Sequence, residues 1–359
     1  MNSLINKVLN LESLSVEEAL NLYQNMPLSE LLALGDAIRY KFHPEKEVTW
    51  QIDRNVNITN VCVGGCKFCN FHCKLHQHDI AYITAIEQYI EKVDQMLLLG
   101  GDQLLLQGGM HPKLKIDFYE SLFKELKSLY PEVRLHALGA PEVFHIARIS
   151  HLSIEETLNR LVEAGLDSLP GAGAEILDDE VRKKLSPGKC SAQQWLDIMR
   201  LAHKINLPTS ATMMYGHIEE DCHIINHLIK LRELQNECPD GNYGFIAFIP
   251  WVFCSGGTQL ASQVEIKPQS GDKYLRIIAI SRIVLNNINN IQASYLTLGR
   301  QVAVKALYCG ANDLGSIMIE ENVVKSAGAN NIMDQKAMIN TIEEAGFSAV
   351  LRNQLYQRR

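Results

Sequence analysis

The chain has 359 residues, 47% of them hydrophobic, with a net charge of −7 at neutral pH and nine cysteines. That length can bury one large core, and the acidic balance gives no general pull toward nucleic acid or an anionic membrane surface. No apolar run approaches the roughly 18 residues of a membrane span. Met1 to Asn10 also carries polar residues where a secretory leader has its apolar stretch, so a cytoplasmic chain is expected.

Residues 1–50 read as a helical extension. Ser15-Val16-Glu17-Glu18 is a capping box, Ala19, Leu20, Leu22 and Tyr23 share a stripe, and a second helix starts near Pro27 and runs to about Tyr40. This layer is expected to cover the floor of whatever follows. Val48 to Thr59 reads as the first strand. Beyond it a short apolar run, a loop and a capped helix alternate. Strands are predicted at 103–107, 133–138, 166–169, 209–214, 244–249, 291–295 and 304–308. Helices over 84–99, 117–130, 153–164, 191–205, 222–235 and 271–287 separate them, and terminal helices follow.

About eight strands alternating with helices predict a parallel sheet. With no Gly/Pro/Ser-rich linker, the pattern predicts one closed (β/α)8 TIM-type barrel over 51–328, followed by a helical segment, 329–359, packed on it. An open doubly wound sheet is the other fold this beat allows. No G-x-G-x-x-G is present, so its dinucleotide-binding version has no support.

The loop after the first strand carries Cys62, Cys66 and Cys69 in the pattern C-x3-C-x2-C. A four-iron, four-sulfide cube needs one outside ligand per iron, usually a thiolate. Three cysteines leave one iron open, and an open site is what distinguishes a catalytic metal centre. Gly64 and Gly65 let the loop turn tightly. Two plainer readings stand beside this one. The cysteines could be reduced and buried, or could hold zinc with the nearby His72, Cys73, His76 and His78, although those lack a second zinc knuckle. Cys73 is read as a bystander. The remaining cysteines, at 190, 222, 238, 254 and 309, form no disulfide framework, which suits a reducing compartment.

In a parallel barrel the site lies at the carboxyl ends of the strands, and polar or flexible residues gather there. Gln107-Gly108-Gly109-Met110-His111 follows the second strand. His136 and Pro141-Glu142 close the third, Gly171 to Glu175 the fourth, and Tyr215-Gly216-His217-Ile218-Glu219 the fifth. Pro250-Trp251-Val252-Phe253 follows the sixth, Gln292 and Ser294 lie on the seventh, and Asn312-Asp313 follows the eighth. Each has a plainer reading: Glu175 or Glu142 as a helix-start carboxylate, His136 as a core histidine, Trp251 and Phe253 as a plug. Their common placement is what points to a site.

The cysteine loop resembles that of the radical S-adenosylmethionine superfamily. The segments Thr59-Asn60-Val61-Cys62, Leu106-Gln107-Gly108-Gly109, Ala164 to Ile176, Ala211 to His217, Phe248-Ile249-Pro250-Trp251, Asn290 to Ser294 and Gly310 to Gly315 resemble its futalosine-pathway branch, which serves menaquinone biosynthesis, and the deazaflavin-forming cousins of that branch. The resemblance implies a [4Fe-4S] cluster on Cys62, Cys66 and Cys69, with S-adenosylmethionine on the open iron. It places Phe68, Gln107, Gly108, Gly109, Glu175 and Gly216 around that second cofactor. Met110 stands where the family commonly has Glu. Thr59, Trp251, Gln292 and Ser294 are implied to face a small nucleoside-like substrate, with Arg300 or Ser294 as partner for its carboxylate. Glu142, His136 and Tyr215 are candidates for the catalytic base. A flavodoxin- or ferredoxin-type electron donor is implied. Within the branch, Ile249-Pro250-Trp251, Ile291 to Ser294, Leu135-His136-Ala137 and Pro141-Glu142 favour the reaction that takes the ribose C4′ hydrogen and closes a ring onto a benzoate. The sister reaction, adenosyl radical addition to an enolpyruvyl benzoate, is the alternative. A non-catalytic iron–sulfur or zinc protein is the alternative from another class.

Overall fold

The computed structural model describes all residues except 321, 323–325, 327, 329 and 330. Three helices open the chain: α1 (Asn2–Leu9), α2 (Val16–Asn25) and α3 (Leu28–Phe42). The Ser15 hydroxyl accepts from the Glu18 N–H, and the Glu18 carboxylate accepts from the Ser15 N–H, so the capping box forms.

The first strand is bent into β1 (Glu47–Gln51) and β2 (Asp53–Asn57). Then come α4 (Ile86–Leu98), β3 (Gln103–Gln107), α5 (Ile116–Leu129), β4 (Arg134–Ala137), α6 (Ala140–Ser150), α7 (Ile154–Ala164), α8 (Asp179–Leu185), α9 (Ala192–Lys204) and β5 (Thr209–Tyr215). The second half holds α10 (Asp221–Asn236), β6 (Phe245–Val252), α11 (Gln259–Gln263), α12 (Gly271–Val284), β7 (Asn290–Ile291), α13 (Tyr295–Leu298), α14 (Arg300–Ala306), β8 (Asp313–Ser316), α15 (Gln335–Glu344) and β9 (Ser348–Leu351).

The parallel ladders β2-β3-β4, β5-β6-β7 and β8-β1 are joined by short bridges into a ring. His136 pairs with Ser168, Leu169 with Thr209, and Gln292 with Asp313. Eight parallel segments therefore close a barrel, with α4 to α12 outside it. The fourth segment is only the Ser168–Leu169 bridge pair, because Pro170 follows at once and cannot donate to a ladder.

Three expectations need correction. The eighth strand is 313–316, not 304–308. Residues 300–306 form a helix because Ala303 and Ala306 fall three apart on one buried face. The first three helices reach only the rim of the floor, where Arg39 of α3 donates to Glu47 O and Ala311 O at the entry to β1 and β8. Instead α3 packs along α12, and α2 packs against α10 and α12, outside the barrel wall. Lastly, the carboxyl-terminal segment is not only a helix on the outside. After α15 it adds β9 in parallel register to β1, with Glu47 opposite Ser348 and Trp50 opposite Leu351, and carries the chain's end under the lumen.

Candidate active site

A TIM-type barrel is normally filled by branched apolar side chains. This one is not. Gln51, Asp53, Gln103, Gln107, His136, Ser210, Thr212, Gln292, Ser294 and Ser316 point from the strands and their ends into a cavity of about 380 Å³. Cys62, Cys66 and Cys69 open on the same cavity at its mouth.

The loop after β3 lies directly on the chain entering the cysteine loop. The Gly109 N–H donates to Thr59 O at 2.7 Å, and a Cβ on Gly109 would sit 2.1 Å from Val61 O. No other residue fits there without parting the two backbones. The contact brings the Met110 N–H to within 3.3 Å of Cys62 Sγ, and the Gly64 N–H donates to the same sulfur at 3.3 Å. On the other side, the link between α8 and α9 clamps the loop. The Lys67 N–H donates to Leu185 O, and the Gly188 N–H donates to Gly64 O.

The donor set fits a cluster. A Cβ on Gly64 would lie 3.3 Å from Cys62 Sγ and 3.6 Å from Cys66 Sγ, so two thiols face each other across a glycine. Among the described residues, no three His, Cys, Asp or Glu side chains converge as they would on a single ion. Burial pushes the Cys62 thiol up and the Cys66 thiol up to about 12, so these sulfurs favour a cationic metal over a free thiolate state. Burial also opposes ionisation of Cys69, but hydrogen bonds from the His72 side chain and the Phe71 and His72 backbone outweigh it and hold this thiol low. The Cys73 backbone, by contrast, pairs with Cys62 N–H and Asn60 O, and its thiol is buried away from the cavity.

Beside the cluster thiols sits a charged group that the strand-end pattern does not reveal. Lys189, from the α8–α9 link, reaches Glu175 Oε1 at 2.7 Å and lies 5.4 Å from the centre of the Phe68 ring. Arg182 holds the same turn by donating to Gly173 O and Ala174 O. Glu175 takes a left-handed φ of 41°, unusual for a residue with a side chain, and is kept there by this network and by its own carbonyl accepting from Met214 N–H. Ser186-Pro187-Gly188-Lys189 lies between helices rather than after a strand, which is why barrel logic passes over it.

Glu142 is on the first turn of α6 and also lines the cavity. Its Oε1 accepts from the Gly108 N–H at 3.1 Å, and burial raises its carboxyl to about 7. His136 lines the cavity deeper down, with Nδ1 2.7 Å from Ser168 Oγ. Burial holds its imidazole down to about 3, and so neutral.

Phe68, Gln107, Gly108, Gly109, Glu175, Trp251, Gln292 and Ser294 all line the cavity. Four candidates do not. Tyr215 is on the outward side of β5, in a register where Ser210 and Thr212 face in, and is buried beneath the helices near Tyr274 and Tyr23. Gly216 is absent from the lining, and its N–H is taken by Glu219. The Thr59 hydroxyl donates to Tyr82 O and accepts from the Val61 N–H, bracing the cysteine loop from behind. Arg300 pairs with Glu344 at the surface.

Comparison with known proteins agrees with this geometry. Residues 56–231 match the Radical SAM superfamily, and residues 242–359 match the CofH/MqnC C-terminal region. The chain is 40% identical over 343 residues to the cyclic dehypoxanthine futalosine synthase of Streptomyces coelicolor, covering 95% of this chain and 84% of that one. It is 37% identical to the enzyme of the same name from Halalkalibacterium halodurans, over 99% and 94% of the two chains. A 5-amino-6-(D-ribitylamino)uracil–L-tyrosine 4-hydroxyphenyl transferase of Methanococcoides burtonii is 40% identical over 88% of this chain and 86% of that one. Among solved structures, methylornithine synthase superposes with a TM-score of 0.71 at 19% identity, over 96% and 97% of the chains, a likeness of fold. With its three-thiol loop opening on a barrel lumen, the chain belongs to the radical S-adenosylmethionine superfamily, in the branch that carries the CofH/MqnC carboxyl-terminal region.

Proposed function

We propose that this chain converts dehypoxanthine futalosine to cyclic dehypoxanthine futalosine. The observation that carries the reading is identity of 37–40% with two synthases of that name along nearly the whole chain. When bound, the [4Fe-4S] cluster and S-adenosylmethionine supply a one-electron cleavage and, with it, removal of the ribose C4′ hydrogen before the ring closes onto the benzoate.

The protein's share is placement. Cys62, Cys66 and Cys69 hold the cluster at the mouth. Lys189, kept in position by Glu175 and Phe68, would offer its ammonium to the carboxylate of the methionyl group, and the Gly108 and Gly109 carbonyls would be available to its amino group. Trp251 gives the aromatic ring of the substrate a flat neighbour. Ring closure leaves a ring radical that regains its aromaticity by losing one proton and one electron; Glu142 accepts the proton, and the oxidised cluster, when bound, would take the electron. A carboxyl raised to about 7 is balanced between holding and releasing a proton at neutral pH. Closed walls keep water from the reacting carbon. The electron comes from a flavodoxin- or ferredoxin-type donor, and the nine free thiols suit a cytoplasmic setting.

The test is anaerobic reconstitution, then reduction with S-adenosylmethionine and dehypoxanthine futalosine present. Loss of two hydrogens from the substrate with release of 5′-deoxyadenosine is the expected result. An untouched substrate, with a tyrosine-derived product formed from the ribitylaminouracil instead, would assign the chain to the transferase activity, a reading favoured by the equal identity to the Methanococcoides burtonii protein. An adenosyl adduct of an enolpyruvyl benzoate would indicate the sister reaction.

A further inference from the structure

The lower half of the cavity is closed by the last residues of the chain. Arg352, Gln354 and Tyr356 line it, although none lies on a barrel strand. They are held firmly. β9 is in register with β1, and Arg352 pairs antiparallel with Arg358, so 353–357 form a tight loop beneath the lumen. Arg352 donates to both oxygens of Asp313, at 2.6 and 3.1 Å, and to Gln51 Oε1 at 2.6 Å. Its guanidinium stacks 3.8 Å from the centre of the Tyr356 ring. Tyr356 sits at φ 61°, strain that a terminal residue would shed by unfolding unless the contacts above held it.

This floor has no spare positive charge. Arg352 is matched by Asp313. Asp53, whose Oδ1 accepts from Ser316 Oγ at 2.6 Å, is raised by burial to about 6, and His136 is neutral. No unmatched cation is left to hold a carboxylate. Beside the Asp53 carboxylate, what remains are neutral groups that both donate and accept. Gln354 Nε2 is 3.4 Å from each ring nitrogen of His136, so the amide lies over the imidazole ring. The in-plane position at His136 Nε2 is then left toward the cavity, and Gln103, which lines the same cavity, has a buried Oε1 without a hydrogen-bond partner among the described residues. Hydroxyl groups, each donor and acceptor, suit such a lining.

We propose that the carboxyl-terminal loop is the substrate-reading floor of the chamber, where Gln354, His136 and Gln103 hold the vicinal hydroxyls of the substrate's sugar while its benzoate carboxylate points away toward the mouth. The assignment rests on the cyclase reading above.

The experiment compares reconstituted wild type with Gln354→Met, which keeps side-chain length but cannot hydrogen-bond, and with Gln103→Met. Each is assayed on the parent substrate, on analogues lacking a single ring hydroxyl, and on an analogue lacking the carboxylate. Melting temperature checks that each variant is folded. Expected is a roughly tenfold fall in kcat/KM on the parent for Gln354→Met, about the worth of one neutral hydrogen bond. That penalty disappears on one deoxy analogue and persists on the decarboxylated one. A penalty equal on every analogue, or lost only with the carboxylate, overturns the floor assignment. Should Gln354→Met prove unfolded, Gln103→Met decides by the same pattern. Wild type that leaves the parent unconverted refutes the cyclase reading itself and takes the sugar assignment with it.

Discussion

Arg352→Met tests whether the tail is part of the barrel or merely rests on it. The guanidinium is 4% exposed and Asp313 0% exposed, so the pair is fully desolvated. Removing one partner of such a pair typically costs about 3–5 kcal/mol, because a buried charge is left uncompensated. Here Asp313 keeps two donors, Thr49 Oγ1 at 2.5 Å and the Gly315 N–H at 2.7 Å, which places the loss near the lower end, about 3 kcal/mol. Asp313→Asn alone strands the guanidinium beside Gln51 and also destabilises. The double variant removes both charges and should recover about 2 kcal/mol of the summed loss, since neutral replacement of a whole buried pair is often tolerated. Anaerobic urea unfolding followed by circular dichroism measures all four corners of the cycle. If Arg352→Met costs less than about 1 kcal/mol, or the two losses simply add, the pair is not buried and coupled as argued, and the tail does not close the lumen.

The other predictions concern the mouth. Burial raises Glu142 from about 4.5 to about 7, so its contribution to stability is complete below pH 4.5 and is lost as pH rises through 7. Glu142→Gln, always neutral, should therefore match wild type near pH 4.5 and exceed it by about 3 kcal/mol at pH 8, while cyclisation falls by about 10²-fold. A stability difference that is the same at both pH values would remove the burial argument. Cys66→Ala should lose iron and sulfide after reconstitution, and Cys73→Ala should keep both, because Cys73 serves the loop through its backbone. Loss of iron from Cys73→Ala would make it a ligand.

The mouth was legible in the sequence because it follows from chain order. A strand ends, a glycine-rich or polar loop follows, and a barrel collects such loops at one face. Cys62, Gly108, Glu142 and Glu175 could all be found this way. Tyr215 and Gly216 come from the same rule and mislead, since the rule gives the height of a residue but not its facing. In β5 one step of register turns Tyr215 from lumen to helix layer. Lys189 escaped because the link between two helices is positioned by tertiary packing against Gly64, which no local pattern encodes. The eighth strand was missed for a simpler reason. Val304-Lys305-Ala306-Leu307-Tyr308 is apolar enough for either period, while Asp313-Leu314-Gly315-Ser316 looks like a turn.

The floor is harder still to read, and the difficulty is informative. Asp53-Arg54-Asn55-Val56-Asn57 has a polar residue at almost every position, which for an isolated chain argues against a buried strand. All five are nonetheless buried. Asp53 is satisfied by Ser316, 263 residues away, and Arg54 by Gln95 and Glu320, so the strand is stable only once the ring is closed. Arg352 likewise reaches back to Gln51 across 301 residues. A lumen of this kind demands partners from both ends of the chain, and it costs stability compared with a lumen of branched apolar side chains. The barrel therefore folds around a chamber of mixed polar and apolar lining rather than a packed core, and Arg352, Gln354 and Tyr356 from the chain's last eight residues close its floor.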